Sequence, residues 1–195
     1  LPGIIHNEAV VLISHISLCA SLVLLTVLFA WLKRGADLAQ YFALKPIPVK
    51  DIVLWVGIAL FVKAVRILLC LYFDLTLMPG TAGNFSAGSE VVRYALALPL
   101  LGSTAYTLLF QGFLFAGFQS SRIGIPGTFV LLAAIYLLPS IAFGGPYETL
   151  LDAIDVFLLT LARWRTKSLY PTLGMAILSN ELEAATVILF NLPSA

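Results

Sequence analysis

From Val10 to Leu32 the chain runs for 23 residues without a charged side chain. A helix over that stretch is about 35 Å long at 1.5 Å per residue, enough to cross a hydrocarbon core of ~30 Å. In lipid every backbone N–H and C=O must be satisfied within the protein, and a single segment can do this only as a helix. The rest of the chain is of the same kind. It is 61% hydrophobic and 11% charged, against roughly 25% charged in soluble domains. A water-soluble fold of 195 residues could not hide that much apolar surface. The expected class is therefore all-α, a polytopic transmembrane helix bundle embedded in a lipid bilayer.

Further runs follow the first. Lys33, Arg34, Asp37, Lys45, Pro46, Pro48 and Lys50 make a polar connector, and Asp51 to Asp74 gives a second span, interrupted by Lys63 and Arg66. Met78 to Ser89 reads as a loop, because Pro79, Gly80, Gly83 and Gly88 all oppose helix. Tyr94 to Phe118 is a third span. A turn at Ser120, Ser121, Arg122 and Gly124 follows, with Pro126 placed to open the fourth span, Gly127 to Phe143. Gly144, Gly145 and Pro146 close it. Tyr147 to Trp164 and Tyr170 to Phe190 form a fifth and a sixth helix, less apolar because they carry Asp152, Asp155, Asn180, Glu181 and Glu183.

Hydropathy alone supports four spans; charge placement argues for six. Lys33, Arg34, Lys45, Lys50, Arg122, Arg163, Arg165 and Lys167 fall at alternate junctions, and only Arg93 falls on the other side. Eight against one is a positive-inside pattern with both termini on the less positive, non-cytoplasmic side. No linker or charge run divides the chain, so residues 1–195 are read as a single transmembrane domain. The host membrane is expected to be a bacterial inner membrane or an organellar one. The first residue is Leu1 rather than Met, so a leader, a transit peptide or a disordered start is expected ahead of it.

Ionisable groups inside a bilayer cost a few kcal/mol each and usually face a cavity or a partner. Lys63 and Arg66 share one face of the second helix, and Lys63 lies about 18 Å along it from Asp51, near mid-membrane. Asp152 and Asp155 share a face of the fifth, about one turn from its outer end. Glu181 and Glu183 diverge by roughly 160° and cannot point the same way, whereas Glu183 can share a face with Asn180. Two uses are open to this set: cross-helix ion pairs that hold the bundle, or a polar cavity for a substrate, a proton or a partner's charge.

Other polar residues carry less. Cys19 and Cys70 lie in apolar runs and read as buried spare thiols without metal spacing. His15 reads as a hydrogen-bonded helix contact, with a metal or pigment ligand as the sharper alternative. Trp31, Trp55, Trp164 and Tyr170 sit at span ends as an interfacial belt. A net charge of +1 argues against nucleic acid as a partner. No cofactor is expected from these residues, although such a bundle can carry a bound lipid or pigment.

Three stretches resemble one family. Tyr106-Thr-Leu-Leu-Phe-Gln-Gly-Phe-Leu-Phe115 is similar to a Glu-Glu-Leu-Leu-Phe-Arg-Gly-Phe-Leu segment. Ala134-Ile-Tyr-Leu-Leu-Pro-Ser-Ile-Ala-Phe-Gly144 resembles a Phe-x-x-x-His helix. Arg165-Thr-Lys-Ser-Leu-Tyr-Pro-Thr-Leu-Gly174 resembles an Arg-Thr-Gly-Ser-Leu-Trp-Pro segment leading into a His-x-x-x-Asn motif. These belong, in this order and spacing, to the CPBP family of intramembrane proteases, which includes the CAAX prenyl endopeptidases and the Abi-type proteins. The resemblance implies a CPBP-like fold in the last four helices, a core over about 94–192. It also implies a site in which glutamate activates water and histidines support the transition state.

This chain departs from that site almost everywhere. The two glutamates fall on Tyr106 and Thr107, the arginine on Gln111, and the histidines on Ser140 and Ala176; only the final asparagine is kept, as Asn180. Water activation needs a base within hydrogen-bond reach, and the oxyanion needs a preorganised donor. Neither His6 nor His15 lies in the matching region. The resemblance therefore implies a pseudoenzyme, with no catalytic residue expected. Such a bundle is most simply retained for its surface, as an accessory, scaffold or assembly subunit of a larger membrane complex whose partners are other transmembrane proteins. Gly112 and Ala116 are small groups that allow close helix approach there. Two alternatives are a divergent endopeptidase using Glu181 or Glu183, and a small carrier using Lys63, Arg66, Asp152 and Asp155. The absence of a visible inverted repeat weighs against the carrier.

Overall fold

A computed structural model describes residues 8–32, 37–73, 99–143 and 145–190. The expected loop over Met78 to Ser89, the start of the third span at Tyr94, and Lys33, Arg34, Asp74, Arg93 and Gly144 lie outside the described residues. Every regular element among those described is helical. They are α1 (Glu8–Leu32), α2 (Leu38–Tyr41), α3 (Val49–Phe73), α4 (Pro99–Gln119), α5 (Gly124–Phe143), α6 (Pro146–Thr166) and α7 (Tyr170–Phe190). Four of them, α1, α3, α4 and α5, are long and apolar enough to cross a membrane. Helices α6 and α7 are as long, but their carboxylates and, in α6, two arginines lower their apolar character.

Two features are absent from the pattern of apolar runs. The polar connector contains α2, a single turn whose Asp37 cap accepts a hydrogen bond from the Ala39 N–H at 2.9 Å. Within α4, Leu108–Leu114 is wound as π-helix. Such segments shift the register of the helix that follows them and are frequent at functional sites. Pro146 occupies the first turn of α6, where its missing N–H costs nothing, after Gly145 as cap.

Helices α3, α6 and α7 pack around Ala59, Ala162 and Met175. A Cβ on Gly174 of α7 would meet Val56 of α3 at 3.0 Å, so the glycine lets those two helices close. Phe110, Phe115 and Leu132 join α4 to α5, with Trp164 of α6 against the same cluster. Helix α1 meets the π segment of α4, and Phe42, Ala30 and Leu169 form a third core at that end. Gly112 sits in the π segment of α4, which packs against α1. Its open face admits the buried Phe42 ring, which a Cβ would meet at 2.7 Å, and Ala116 lines a cavity instead.

The junctions α1–α3, α4–α5 and α6–α7 meet at one end of the bundle. Leu169 N–H donates to the Ala43 carbonyl at 3.1 Å, and the Ser168 hydroxyl to the Lys45 carbonyl at 2.7 Å. Gln40 and Ala43 of the first junction, Gln119 and Ser120 of the second, and Lys167 of the third border one shared cavity. Six of the eight basic residues counted at the alternate junctions are described, and five of those gather there on connectors or helix ends. Arg163 instead lies in the last turn of α6 and is buried, not on a loop.

Candidate functional site

Lys63 and Arg66 follow one another by three residues on α3, and both are buried. From the basic end of the bundle Lys63 lies about 21 Å along α3, Asp155 about 17 Å along α6 and Glu183 about 20 Å along α7. Equal heights on adjacent helices bring the charges together. Lys63 Nζ donates to Asp155 Oδ2 at 3.0 Å and to Glu183 Oε2 at 2.9 Å. Arg66 donates to Asp152 Oδ1 at 2.9 Å and to Asp155 Oδ2 at 3.1 Å, while Glu183 Oε1 stands 3.8 Å from Arg66 Nε. Asp155 thus bridges both cations. The spacing i, i+3 on α3 and on α6 explains the double match, since each pair presents one face. The Ser140 hydroxyl of α5 donates to Asp152 and brings a fourth helix in.

Of the expected charged set, Lys63, Arg66, Asp152, Asp155 and Glu183 form this network. Glu181 and Asn180 do not join it. Glu181 is half-buried and makes no hydrogen bond or ion pair among the described residues, as its divergence from Glu183 requires. Asn180 turns to α4, where its Nδ2 donates to Ser103 Oγ at 2.8 Å and that hydroxyl donates to the Ala176 carbonyl at 3.3 Å. Ser103, buried and unremarkable in sequence, thereby ties together two of the family-site positions.

The remaining family-site positions are dispersed. Tyr106 is exposed and stacks on Phe110 at 6.1 Å, whereas Thr107 is buried. Gln111, in the π segment, donates to Thr160 Oγ1 of α6 at 3.2 Å, and its carbonyl accepts from Arg163 Nε at 2.9 Å. No signal in the sequence marks Thr160 or Arg163 for this role. His15 packs toward Gly102 of α4, its Nε2 3.8 Å from where a Cβ would stand, and makes no hydrogen bond among the described residues. The contact expected of it is present without the bond. Cys19 and Cys70 are buried and free. Among the described residues no group of three or more His, Cys, Asp or Glu is arranged to hold a metal ion.

Fold and site together define a helical bundle with membrane-length apolar helices and a five-charge network in which Lys63, Arg66 and Glu183 are buried and Asp152 and Asp155 half-buried. No family model, curated protein or solved structure matches the chain.

Proposed function

We propose that this chain is a catalytically silent, CPBP-like membrane bundle that serves as an accessory, scaffold or assembly subunit of a larger membrane protein complex. In this reading all six long helices cross the bilayer, with both termini on the less positive side of a bacterial inner membrane or an organellar one. The observation that carries it is the mutual commitment of the interior charges. Asp152, Asp155 and Glu183 are each held by Lys63 or Arg66, so the carboxylates best placed to act as bases are spent on joining α3, α6 and α7. Three of the resemblance-derived positions, Gln111, Ser140 and Asn180, are likewise tied into contacts between α4, α5, α6 and α7. What remains available is surface. Leu24 and Trp31 of α1 and Phe61 of α3 are more than 65% exposed, an apolar exterior suited to lipid and to the helices of partner subunits.

The test is purification from native membranes in a mild detergent. A defined membrane protein accompanying the chain in fixed ratio is the expected result, and a monodisperse monomer without companion overturns the scaffold role. Peptide hydrolysis by the purified chain, lost on Glu181→Gln or Glu183→Gln, would instead establish a divergent endopeptidase.

A further inference from the structure

Arg163 is 5% exposed, yet it forms no ion pair with a carboxylate among the described residues. Of the five N–H donors of a guanidinium, only Nε has a described partner, the Gln111 carbonyl at 2.9 Å. The guanidinium carbon lies 5.1 Å from the centre of the Phe115 ring, which offsets part of the desolvation but supplies no acceptor. A buried cation without a counter-charge is costly. Burial of this one is understandable if an anion completes it.

Arg163 lines a cavity of about 460 Å³ at the basic end of the bundle, within the usual range for small-molecule sites. Gln40, Gln119, Ser120, Trp164 and Lys167 also line it. No carboxylate among the described residues does, whereas the neighbouring cavity at the same end has Asp51 among its basic residues. Its wall therefore offers two cations, several neutral donors and apolar surface from Phe115 and Ala116. Two of its lining residues, Ala43 at φ 50° and Lys167 at φ 51°, are non-glycine residues in the left-handed region. Lys167 is the left-handed C-cap of α6, and Ala43 follows the end of α2, so both helix ends set the rim of the cavity. The planar fork of arginine matches the paired oxygens of a phosphate better than a point cation does.

We infer that this cavity is a phosphate-binding site, with Arg163 as the bidentate donor and Lys167 as the second cation. The phosphate is either the headgroup of an anionic lipid at the membrane face or a free phosphate. The inference stands apart from the scaffold reading, since neither residue belongs to the α3–α6–α7 network.

The test uses the full chain in neutral detergent, with thermal unfolding followed during titration by phosphatidic acid, by phosphatidylcholine and by inorganic phosphate at constant ionic strength. A saturable rise in melting temperature with phosphatidic acid but not with phosphatidylcholine supports a lipid headgroup. A rise with inorganic phosphate as well supports the phosphate group itself as the ligand. Arg163→Lys keeps the charge but loses the fork. Lys167→Asn removes the charge, tolerates the left-handed turn and leaves the Gln111 brace intact. Each is expected to weaken the titration midpoint at least fivefold. The inference fails if neither phosphatidic acid nor inorganic phosphate acts, if phosphatidylcholine acts equally, or if Lys167→Asn titrates like the parent.

Discussion

With all five groups ionised, the network sets two cations against three carboxylates, so its members are not equivalent. Removing Lys63 leaves Arg66 alone among three negative charges. Removing the charge of Glu183 leaves two of each sign. Breaking a buried pair by deleting one partner costs about 3–5 kcal/mol when the survivor stays charged and unpaired. Lys63→Met is therefore expected to cost about that much, Glu183→Gln clearly less, and the double variant less than Lys63→Met alone. Unfolding of the three purified variants in detergent checks this. Equal losses from the two single changes, or a double variant worse than either, would show that Lys63 and Glu183 do not act as a pair. The participants are conspicuous in sequence because each interrupts an apolar run. Their pairing is only partly legible: Asp155 bridges both cations because three helices share a height, which no single helix encodes. Arg163 misleads in the opposite way, reading as an exposed junction charge although it is buried in the last turn of α6.

Apolar run length, with the Gly, Pro and charged breaks between runs, reveals α1, α3, α5, α6 and α7 to within a few residues, and the described end of α4 equally well. It hides α2 and the π segment, for different reasons. One turn in a polar stretch is too short for an apolar period, and α2 is held by its Asp37 cap and by Phe42 inserting at Gly112. The π winding of Leu108–Leu114 adds no distinctive residue type; it is recognised from hydrogen bonding, with the Gln111 carbonyl turned to Arg163. Glycine substitutions separate these elements. At Gly57 of α3 a methyl group meets nothing within 4 Å, so Gly57→Ala should stabilise by up to about 1 kcal/mol through helix propensity. At Gly112 the same methyl strikes the buried Phe42 ring at 2.7 Å, so Gly112→Ala should destabilise by about 1–3 kcal/mol, the usual cost of overpacking. Melting temperatures of the two variants should move in opposite directions. A neutral Gly112→Ala would mean that Phe42 can leave its slot without consequence.

At the scale of the molecule, the question is whether α6 and α7 cross the membrane alongside the four more apolar helices. Their charges argue against crossing when each helix is taken alone, but not when taken together, because the carboxylates of α6 and α7 neutralise the cations of α3. Moving either helix to the bilayer surface would strand Lys63 and Arg66 within a span that hydropathy places in lipid. The hydrogen bonds of Leu169 and Ser168 to the first connector also hold the α6–α7 turn beside the end of α1 and the start of α3. Both contacts are what the proposed six-span arrangement needs of α6. Single cysteines report this directly, in a Cys19→Ala, Cys70→Ala background. Lys45→Cys, Ser121→Cys and Arg165→Cys occupy exposed positions at the basic end, and Tyr147→Cys an exposed position at the start of α6. An impermeant maleimide applied to sealed, oriented vesicles should label the first three from one face and Tyr147→Cys only from the other. Labelling of Arg165→Cys and Tyr147→Cys from the same face would remove α6 from the spans and leave at most five. The charge network would then have to form at the membrane surface, where water would screen it and the cost of losing Lys63 would fall toward the ~0–1 kcal/mol of exposed ion pairs.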